Sequence, residues 1–580
     1  MRHLRYFLIL LTCASGVSAQ DVEHYFLFTI HQKSELDRLT RVMSIDNVVH
    51  DTVYAYANPR EWVAFQALGY HPVELPPPSS LYEHVMSDAP LGVLDWNTYP
   101  TYQGYLTMMR QYAATYPSIC RLDTIGYSIQ NRLILALKIS DSVGVHGDKP
   151  QFFYTSSMHG DELVGYVLLL HLADYLLTQY GQPTTEGQRV TNLVSNMEIW
   201  INPLSNPDGT YRLGGDTTVS RATRGNANGI DLNRNYPDRI DDSVNTTTGR
   251  AAENQAMMRW VWKHNFTLSA NFHGGAQVAN YPYDNGAQSG YYSMCPDDAW
   301  FIHLSRAYAT PNPDLMSGGF TNGITNGCEW YAIFGGRQDW MYTWNGGREV
   351  TIELYNTKTP AGSALPQRWT NNKESFLAYM EEALKGIRGI ITDQATLTPV
   401  KARIEVQGVT NAPVFSDSVV GDYHRLLLPG TYTLMVRAAG YYPDTVRNIV
   451  VTDSTATRVD IALRSTATGV VEQWGLPAQF SLSQNYPNPF NPTTEVRFSV
   501  PQSGTRSRPP SADGEIGGVG FVSLTVYDVL GREIATLVNE VKQPGTYTVK
   551  WDGSRVASGV YLCRLSSGNF VQSRRLLLLK

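Results

Sequence analysis

Charge is scarce in this chain. Only 17% of its 580 residues are Asp, Glu, Lys or Arg, against roughly 25% in an average globular protein. The formal net charge is −6, which offers no basic footprint for nucleic acid. Cysteine is scarcer still. There are five, none at the spacing of a zinc–cysteine site, so any metal must be held by other ligands. Long apolar runs are missing too. The apolar stretch at the start, MRHLRYFLILLTCASGVSAQ, is too short to cross a membrane as a helix, and no transmembrane segment is expected. Cys13 there lacks a lipid-attachment context, which argues against a lipoprotein. Tyrosine, by contrast, is plentiful, with 35 residues that suggest a surface of neutral polar and aromatic groups.

Against that background, His159 and Glu162 in MHGDE and His273 in SANFHGG stand out. Zinc accepts imidazole nitrogen and carboxylate oxygen at about 2.0 to 2.2 Å, and catalytic sites use three protein ligands so that a fourth position stays open. PQFFYTSSM before the first pair reads as a buried strand. LVGYVLLLHLADYLL after it has helical periodicity, which puts the pair on the first turn of a helix, where positions three apart face the same way. TLSANF reads as a second strand, ended by Gly274 and Gly275. Two strand ends bearing histidine fit the rule that open α/β sheets bind ligands at the carboxyl ends of their strands. A third strand, REVTIELYN, alternates Val350, Ile352 and Leu354 with Glu349, Thr351 and Glu353, the pattern of a strand with one buried face. Glu353 is then either a solvated strand glutamate or the non-ligand carboxylate that a zinc hydrolase needs as general base.

Seven blocks in order, HGDE, NPLSNPDG, RGNANGIDLNRNYPD, SANFHGGAQVANYPYD, GITNGCEWY, GGRQDW and EVTIEL, resemble the zinc metallocarboxypeptidases, specifically the carboxypeptidase N/E subfamily, over roughly residues 95 to 385. The resemblance implies one Zn²⁺ held by His159, Glu162 and His273, with Glu353 activating water and passing its proton to the leaving amine. It implies Arg224 as the group that polarises the scissile carbonyl, and Asn233 and Arg234, helped by Tyr331, as the grip on the substrate's terminal carboxylate. Asp284 and Gln338 match positions that line the pocket for the last side chain. A planar guanidinium suits carboxylate recognition through paired, charge-assisted hydrogen bonds. A carboxylate at the base of a narrow pocket favours a cationic side chain, so release of C-terminal Lys or Arg is expected. The competing reading of Asp284-Asn285-Gly286 is a simple turn.

The chain departs from the subfamily at Asp161, where Asn is common, at Arg337, usually Met, at Trp340, usually Tyr or Phe, and at Gly346, where Cys is common. Asp161 either raises the basicity of the site or faces solvent.

The expected fold is multidomain: an α/β catalytic domain, with a mixed sheet flanked by helices, followed by two small all-β sandwiches. Residues 1–19 resemble a secretory signal peptide. Residues 20–90 form an N-terminal pro-segment and linker, with strand and helix patterns ending in the proline-rich ELPPPSS, which could help folding or cover the active site. The catalytic domain spans 91–385, and a sandwich resembling the transthyretin-like domain of the same subfamily spans 386–465. A linker at 466–479 leads to 480–580, which resembles the C-terminal sorting domain of the type IX secretion system, interrupted by the insert SGTRSRPPSADGEIGGVG at 503–520.

The function expected is a secreted or cell-surface zinc carboxypeptidase. Its partners would be peptide or protein C-termini and the type IX machinery. The alternatives are an inactive cell-surface protein that binds peptide or glycan, and a zinc amidase on cell-wall peptides. Among the four cysteines after the leader, Cys295 with Cys328 is the one pair worth testing as a disulfide.

Overall fold

The structure, a computed structural model, describes residues 23–88, 96–466, 479–501, 520–542, 545–568 and 570–580. The expected signal peptide at 1–19, nearly all of the linker at 466–479 and nearly all of the insert at 503–520 fall outside the described residues. The chain divides into two compact units, residues 1–467 and 468–580.

The first unit opens with a four-stranded antiparallel sheet in the order Ser44–Val49, Thr52–Ala57, His24–Thr29, Val73–Leu75. Phe26, Phe28, Val53 and Ala55 alternate along its strands toward one buried face, where Leu36, Leu39 and Phe65 of two short helical segments cover them. The same core includes Ala276, Val278, Trp330, Tyr331 and Ile333, so this small sheet packs directly onto the next layer of the protein.

That layer is an eight-stranded mixed sheet. Its order is Ile324–Asn326, Val278–Tyr281, Arg348–Glu353, Phe266–His273, Gln151–Ser156, Glu198–Asn202, Leu133–Ile139, Cys120–Tyr127. The four strands from Arg348–Glu353 to Glu198–Asn202 are mutually parallel. Their residues alternate between two cores: Phe152, Tyr154, Leu268, Ala270 and Phe272 face one, and Phe153, Trp200 and Phe266 the other. Helices Val164–Gln179 and Leu365–Glu381 cover the first face, while Ala252–Val261 and Arg337–Asn345 cover the second. A sheet covered on both faces makes its central strands apolar throughout rather than alternating.

Three expectations change as a result. Arg348–Glu353 does not have a single buried face: Glu349 is as deeply buried as Val350, because a helix covers either side of this strand. The MHGDE residues precede the helix, which begins only at Val164. They form a loop in which Gly160 crosses the backbone of Gly209 so closely that a Cβ there would collide with it. Many of the tyrosines serve the core rather than the surface. Tyr99, Tyr112, Tyr154, Tyr211 and Tyr379 are buried, and each hydroxyl donates to a main-chain carbonyl, those of Pro360, Leu170, Phe376, Pro100 and Ser269 in turn. A buried phenol with its hydroxyl satisfied adds a large apolar body to the core without leaving a polar atom unpaired.

Two further sheets complete this unit. One pairs Ile387–Asp393 with Asp422–Arg425, Thr457–Arg458 and Ile461–Leu463, and the other runs Val414–Phe415, Arg403–Val406, Gly430–Arg437, Asp444–Val451. Their inward residues, among them Ile387, Ile391, Ile404, Leu434 and Val436, share one core. Asp297 ties this sandwich to the large sheet: one carboxylate oxygen accepts from Arg425 at 2.6 Å and the other from Arg348 at 2.9 Å.

The second unit is also built from two sheets. One is Ser481–Leu482, Thr493–Val500, Gly545–Asp552; the other is Glu533–Lys542, Gly520–Asp528, Gly559–Ser567, Phe570–Leu578. Phe498, Leu524, Leu565 and Trp551 form its core. Among the described residues no helix is long and apolar enough to cross a membrane.

Cys120, Cys295, Cys328 and Cys563 are free and buried. The proposed Cys295–Cys328 bond is absent; the Cys328 thiol instead lies 3.4 Å from the carbonyl of Gln288.

Candidate active site

The site forms where three neighbouring parallel strands end. Phe266–His273 and Arg348–Glu353 run in register so that His273 and Glu353, their last residues, are partners. On the other side of Phe266–His273, Gln151–Ser156 leads into the loop that carries His159 and Glu162. Ser157 fixes that loop: its backbone is left-handed (φ 53°) and its hydroxyl donates to the carbonyl of Glu162 at 2.7 Å. The strands thus bring two histidines and a glutamate from distant parts of the chain to one point.

There, Nδ1 of His159 lies 3.0 Å from Nδ1 of His273 and 3.0 Å from a Glu162 oxygen, and Nδ1 of His273 lies 2.8 Å from the other Glu162 oxygen. All three residues are buried. Two imidazole nitrogens and a carboxylate facing inward on one point make the donor set of a catalytic zinc site, and His159, Glu162 and His273 would hold the ion. The far sides of the rings are also held. Nε2 of His159 meets Asp231 at 3.0 Å, and the Asn271 side-chain amide lies 2.7 Å from Nε2 of His273. A carboxylate behind a ligating histidine fixes its tautomer and raises its basicity. Burial pushes His273 down to about 4, so its ring is neutral at ordinary pH, as a metal ligand must be.

Nine of the ten residues singled out from the sequence line one pocket: His159, Glu162, Arg224, Asn233, Arg234, His273, Asp284, Tyr331 and Glu353. Gln338 stands behind it. Its amide donates to Asp284 at 2.9 Å, and its oxygen accepts from the main chain of Thr351 at 2.7 Å. The Asp284 carboxyl also accepts from Asn280 at 3.2 Å, and Gly327 is pressed so close that a Cβ there would strike it. Asp284 is therefore a buried wall residue rather than a turn-former. Burial pushes its carboxyl up to about 7, with the Asn280 hydrogen bond opposing. Glu353 has one carboxylate oxygen with no hydrogen-bond partner, and burial together with the nearby Glu162 charge holds its proton affinity well above the usual carboxylate range.

The departures have local explanations. Arg337 is buried and donates to Glu349 at 3.1 Å, while Glu349 also accepts from Ser269 at 2.8 Å. The two buried charges neutralise each other beneath the pocket. Gly346 caps the helix Arg337–Asn345 in the left-handed region (φ 72°), where glycine carries no steric penalty. Trp340 donates to Asn245 at 2.9 Å and lies against Tyr236. Asp161 does not face solvent: it is buried and accepts at 2.6 Å from Tyr56 of the N-terminal sheet.

Several residues here gave no signal in the sequence. Lys358 donates to Glu162 at 2.8 Å and to Asp46, and Arg224 donates to Asp46 at 3.0 Å and to Asp231 at 3.0 Å. Asp46 belongs to the strand Ser44–Val49. The main-chain carbonyls next to it are also engaged: Arg234 donates to that of Ile45 at 2.9 Å and Tyr331 to that of Asp46 at 3.1 Å. Glu23 accepts from the main-chain amides of Arg224 and Gly225, both at 2.8 Å. The N-terminal sheet thus sits over the pocket, with Asp46 lining it and the Ile45 carbonyl turned toward Arg234.

Comparison with known proteins agrees with this geometry. Residues 105–375 match the zinc carboxypeptidase family, residues 386–464 a carboxypeptidase regulatory-like domain, and residues 484–579 a secretion system C-terminal sorting domain. The last match supports export to an extracellular or cell-surface location. Mouse carboxypeptidase M is 37% identical over 58% of this chain and 78% of its own length. The rat carboxypeptidase N catalytic chain is 35% identical over 61% of this chain and 83% of its own. Human carboxypeptidase D is 38% identical over 62% of this chain, which spans only 26% of that protein's length. On its sequence, its central sheet and the His–Glu–His cluster at the strand ends, the chain belongs to the zinc carboxypeptidase family.

Proposed function

We propose that this chain is a secreted zinc metallocarboxypeptidase that removes C-terminal Lys or Arg from peptides, and that its N-terminal sheet holds the cleft shut in the intact chain. The observation that carries the reading is what fills the pocket. Ile45 and Asp46 present main-chain carbonyls to Arg234 and Tyr331 and a carboxylate to Arg224 and Lys358, so the pocket is already holding peptide groups. A substrate's C-terminus offers the same chemistry.

Zinc bound by His159, Glu162 and His273 would supply Lewis-acid polarisation of a carbonyl and of water. The chain's own residues would do the rest. Asn233 and Arg234 grip the terminal carboxylate, which a guanidinium binds in paired hydrogen bonds. Arg224 steadies the negative charge that develops on the carbonyl oxygen. Glu353 takes the proton of the attacking water and delivers it to the amine nitrogen as the C–N bond breaks, a task suited to its raised proton affinity. Asp284 receives the cationic side chain of the departing residue. Residues 1–19 start export as a signal peptide, and the C-terminal domain completes it through the type IX machinery. The unbroken set of ligands, base and arginines favours hydrolysis over a binding role alone.

The test is hydrolysis of peptides differing only in their last residue, by the zinc-loaded chain and its Asp46→Ala variant, with a chelator control. Chelator-sensitive release of Lys and Arg, faster in the variant, is expected. Release of apolar ends would overturn the role of Asp284, and no release by either protein would overturn the enzyme.

A further inference from the structure

A second cluster of metal-binding groups is built from residues that the first does not use. It forms where the loop between Leu133–Ile139 and Gln151–Ser156 meets the sandwich at 386–465. The loop brings His146 and Asp148; the sandwich brings Asp417, Asp422 and His424, the last two on the strand Asp422–Arg425. Two triads can be drawn there, His146–Asp417–Asp422 and Asp148–Asp422–His424, each with its donor atoms within 4.8 Å of one another. Asp422 belongs to both.

The groups are satisfied only in part: Oδ2 of Asp422 meets His424, and one oxygen of Asp148 accepts from Arg458. Nε2 of His146 is 3.7 Å from an Asp417 oxygen and 3.8 Å from Oδ1 of Asp422, too far for a hydrogen bond. Two ligands at about 2.1 Å from one tetrahedral ion stand roughly 3.4 Å apart. Asp422 is 2% exposed, yet its Oδ1 has no hydrogen-bond partner; the same is true of Nε2 of His146 and of the other oxygen of Asp148. Three orphaned atoms from three metal-binding residues in one place are unusual, because buried polar atoms are nearly always paired.

The surroundings prepare His146 to be a ligand. Its Nδ1 faces Glu198 at 3.2 Å, and Glu198 is itself met by Lys138 at 3.1 Å. A carboxylate behind the ring keeps the proton on Nδ1 and leaves the Nε2 lone pair free. His424 lies with Nε2 2.9 Å from Oδ2 of Asp422. Imidazole mixed with carboxylate suits zinc and its neighbours rather than calcium or magnesium, which take oxygen.

We propose that His146, Asp417 and Asp422, with Asp148 and His424 adjoining, bind a second divalent transition-metal ion of the zinc type, which pins the catalytic domain to the sandwich that follows it. Such a site is separate from the catalytic one and touches no substrate.

The test uses the full chain, stripped of metal and dialysed against Zn²⁺, with zinc counted per molecule and melting followed with and without the ion. Two zinc ions per chain are expected. His159→Gln should leave one, and either His146→Gln or Asp417→Asn should leave one while sparing the first site. Both of the latter positions are partly exposed, which limits their effect on folding. Crystals should show anomalous zinc scattering beside Nε2 of His146. A single zinc lost entirely in His159→Gln would overturn the proposal, as would two zinc ions retained in both junction variants; His146 would then be an imidazolium shared among its carboxylates. Displacement of the second zinc by equimolar Ca²⁺ would overturn the class of ion assigned.

Discussion

At the scale of single residues, the pocket makes separable demands on its side chains. Glu353→Gln removes the proposed proton acceptor and leaves His159, Glu162 and His273 untouched. Turnover should fall by about 10²- to 10⁴-fold, the usual contribution of general base catalysis, while the zinc content stays the same. Retained turnover would reassign the base. Asp284 gives a prediction about pH. With burial holding its carboxyl up to about 7, it is neutral below that pH and offers a cation little. Above it, the pocket gains a full negative charge. Selectivity for a C-terminal Lys over Leu, measured as a ratio of kcat/KM values, should therefore climb between about pH 6 and pH 8. In Asp284→Asn the ratio should stay low and flat. The legibility of the site divides along similar lines. His159, Glu162 and His273 could be read because zinc chemistry demands particular residue types and strand ends supply the place. Asp46 and Lys358 could not. One is a polar position in SIDNVV and the other an ordinary lysine after a strand, and only folding sets them against Arg224 and Glu162.

At the scale of elements, the central strands carry more charge than their apolar neighbours suggest. Alternation in REVTIE predicted a strand correctly but put Glu349 in solvent. A helix on either side of the sheet leaves no solvent face, so Glu349 is buried and needs Arg337 as its counter-ion. Periodicity reports the direction of a side chain, not what covers it. The pair is also testable. Arg337→Met alone strands a buried carboxylate and should cost about 3–5 kcal/mol of stability. Adding Glu349→Gln should recover most of that loss, because a neutral pair needs no counter-charge. Denaturant midpoints of the two variants decide the matter, and an additive loss would rule out the pairing. The MHGDE loop teaches a similar lesson. A helix was expected from residue spacing, but the segment stays out of the helix, with Gly160 crossing close over Gly209 and Glu162 turned toward the histidines.

At the scale of the whole molecule, the large sheet and the sandwich at 386–465 share more than apolar contact. Asp297 accepts from Arg348, at the start of the strand that ends in Glu353, and from Arg425 of the sandwich. Replacing it by Asn leaves two buried guanidinium groups short of a counter-charge. The loss should be about 3–5 kcal/mol, read as a lower melting temperature of the full chain; an unchanged melt would mean that water already serves the arginines. The second compact unit has a core of its own, so a chain ending at residue 466 should hydrolyse peptides as fast as the full one once Asp46 is replaced in both. The broad architecture was readable because each part has its own periodicity, helical with strands first and then strands alone. How the N-terminal sheet is used was not readable, since the same pattern serves a folding aid and a plug equally well.

The seating of Asp46 in the pocket has a kinetic consequence. An occupant joined to its own receptor competes as though present at millimolar concentration, whereas a peptide in solution arrives at whatever level its surroundings supply. If the N-terminal sheet holds the cleft shut, the intact chain therefore needs more peptide than the open pocket would. Its apparent KM would be the pocket's own KM raised by one common factor, set by how rarely the N-terminal sheet lifts away, so substrates would keep their order of affinity while each needs a proportionally higher concentration.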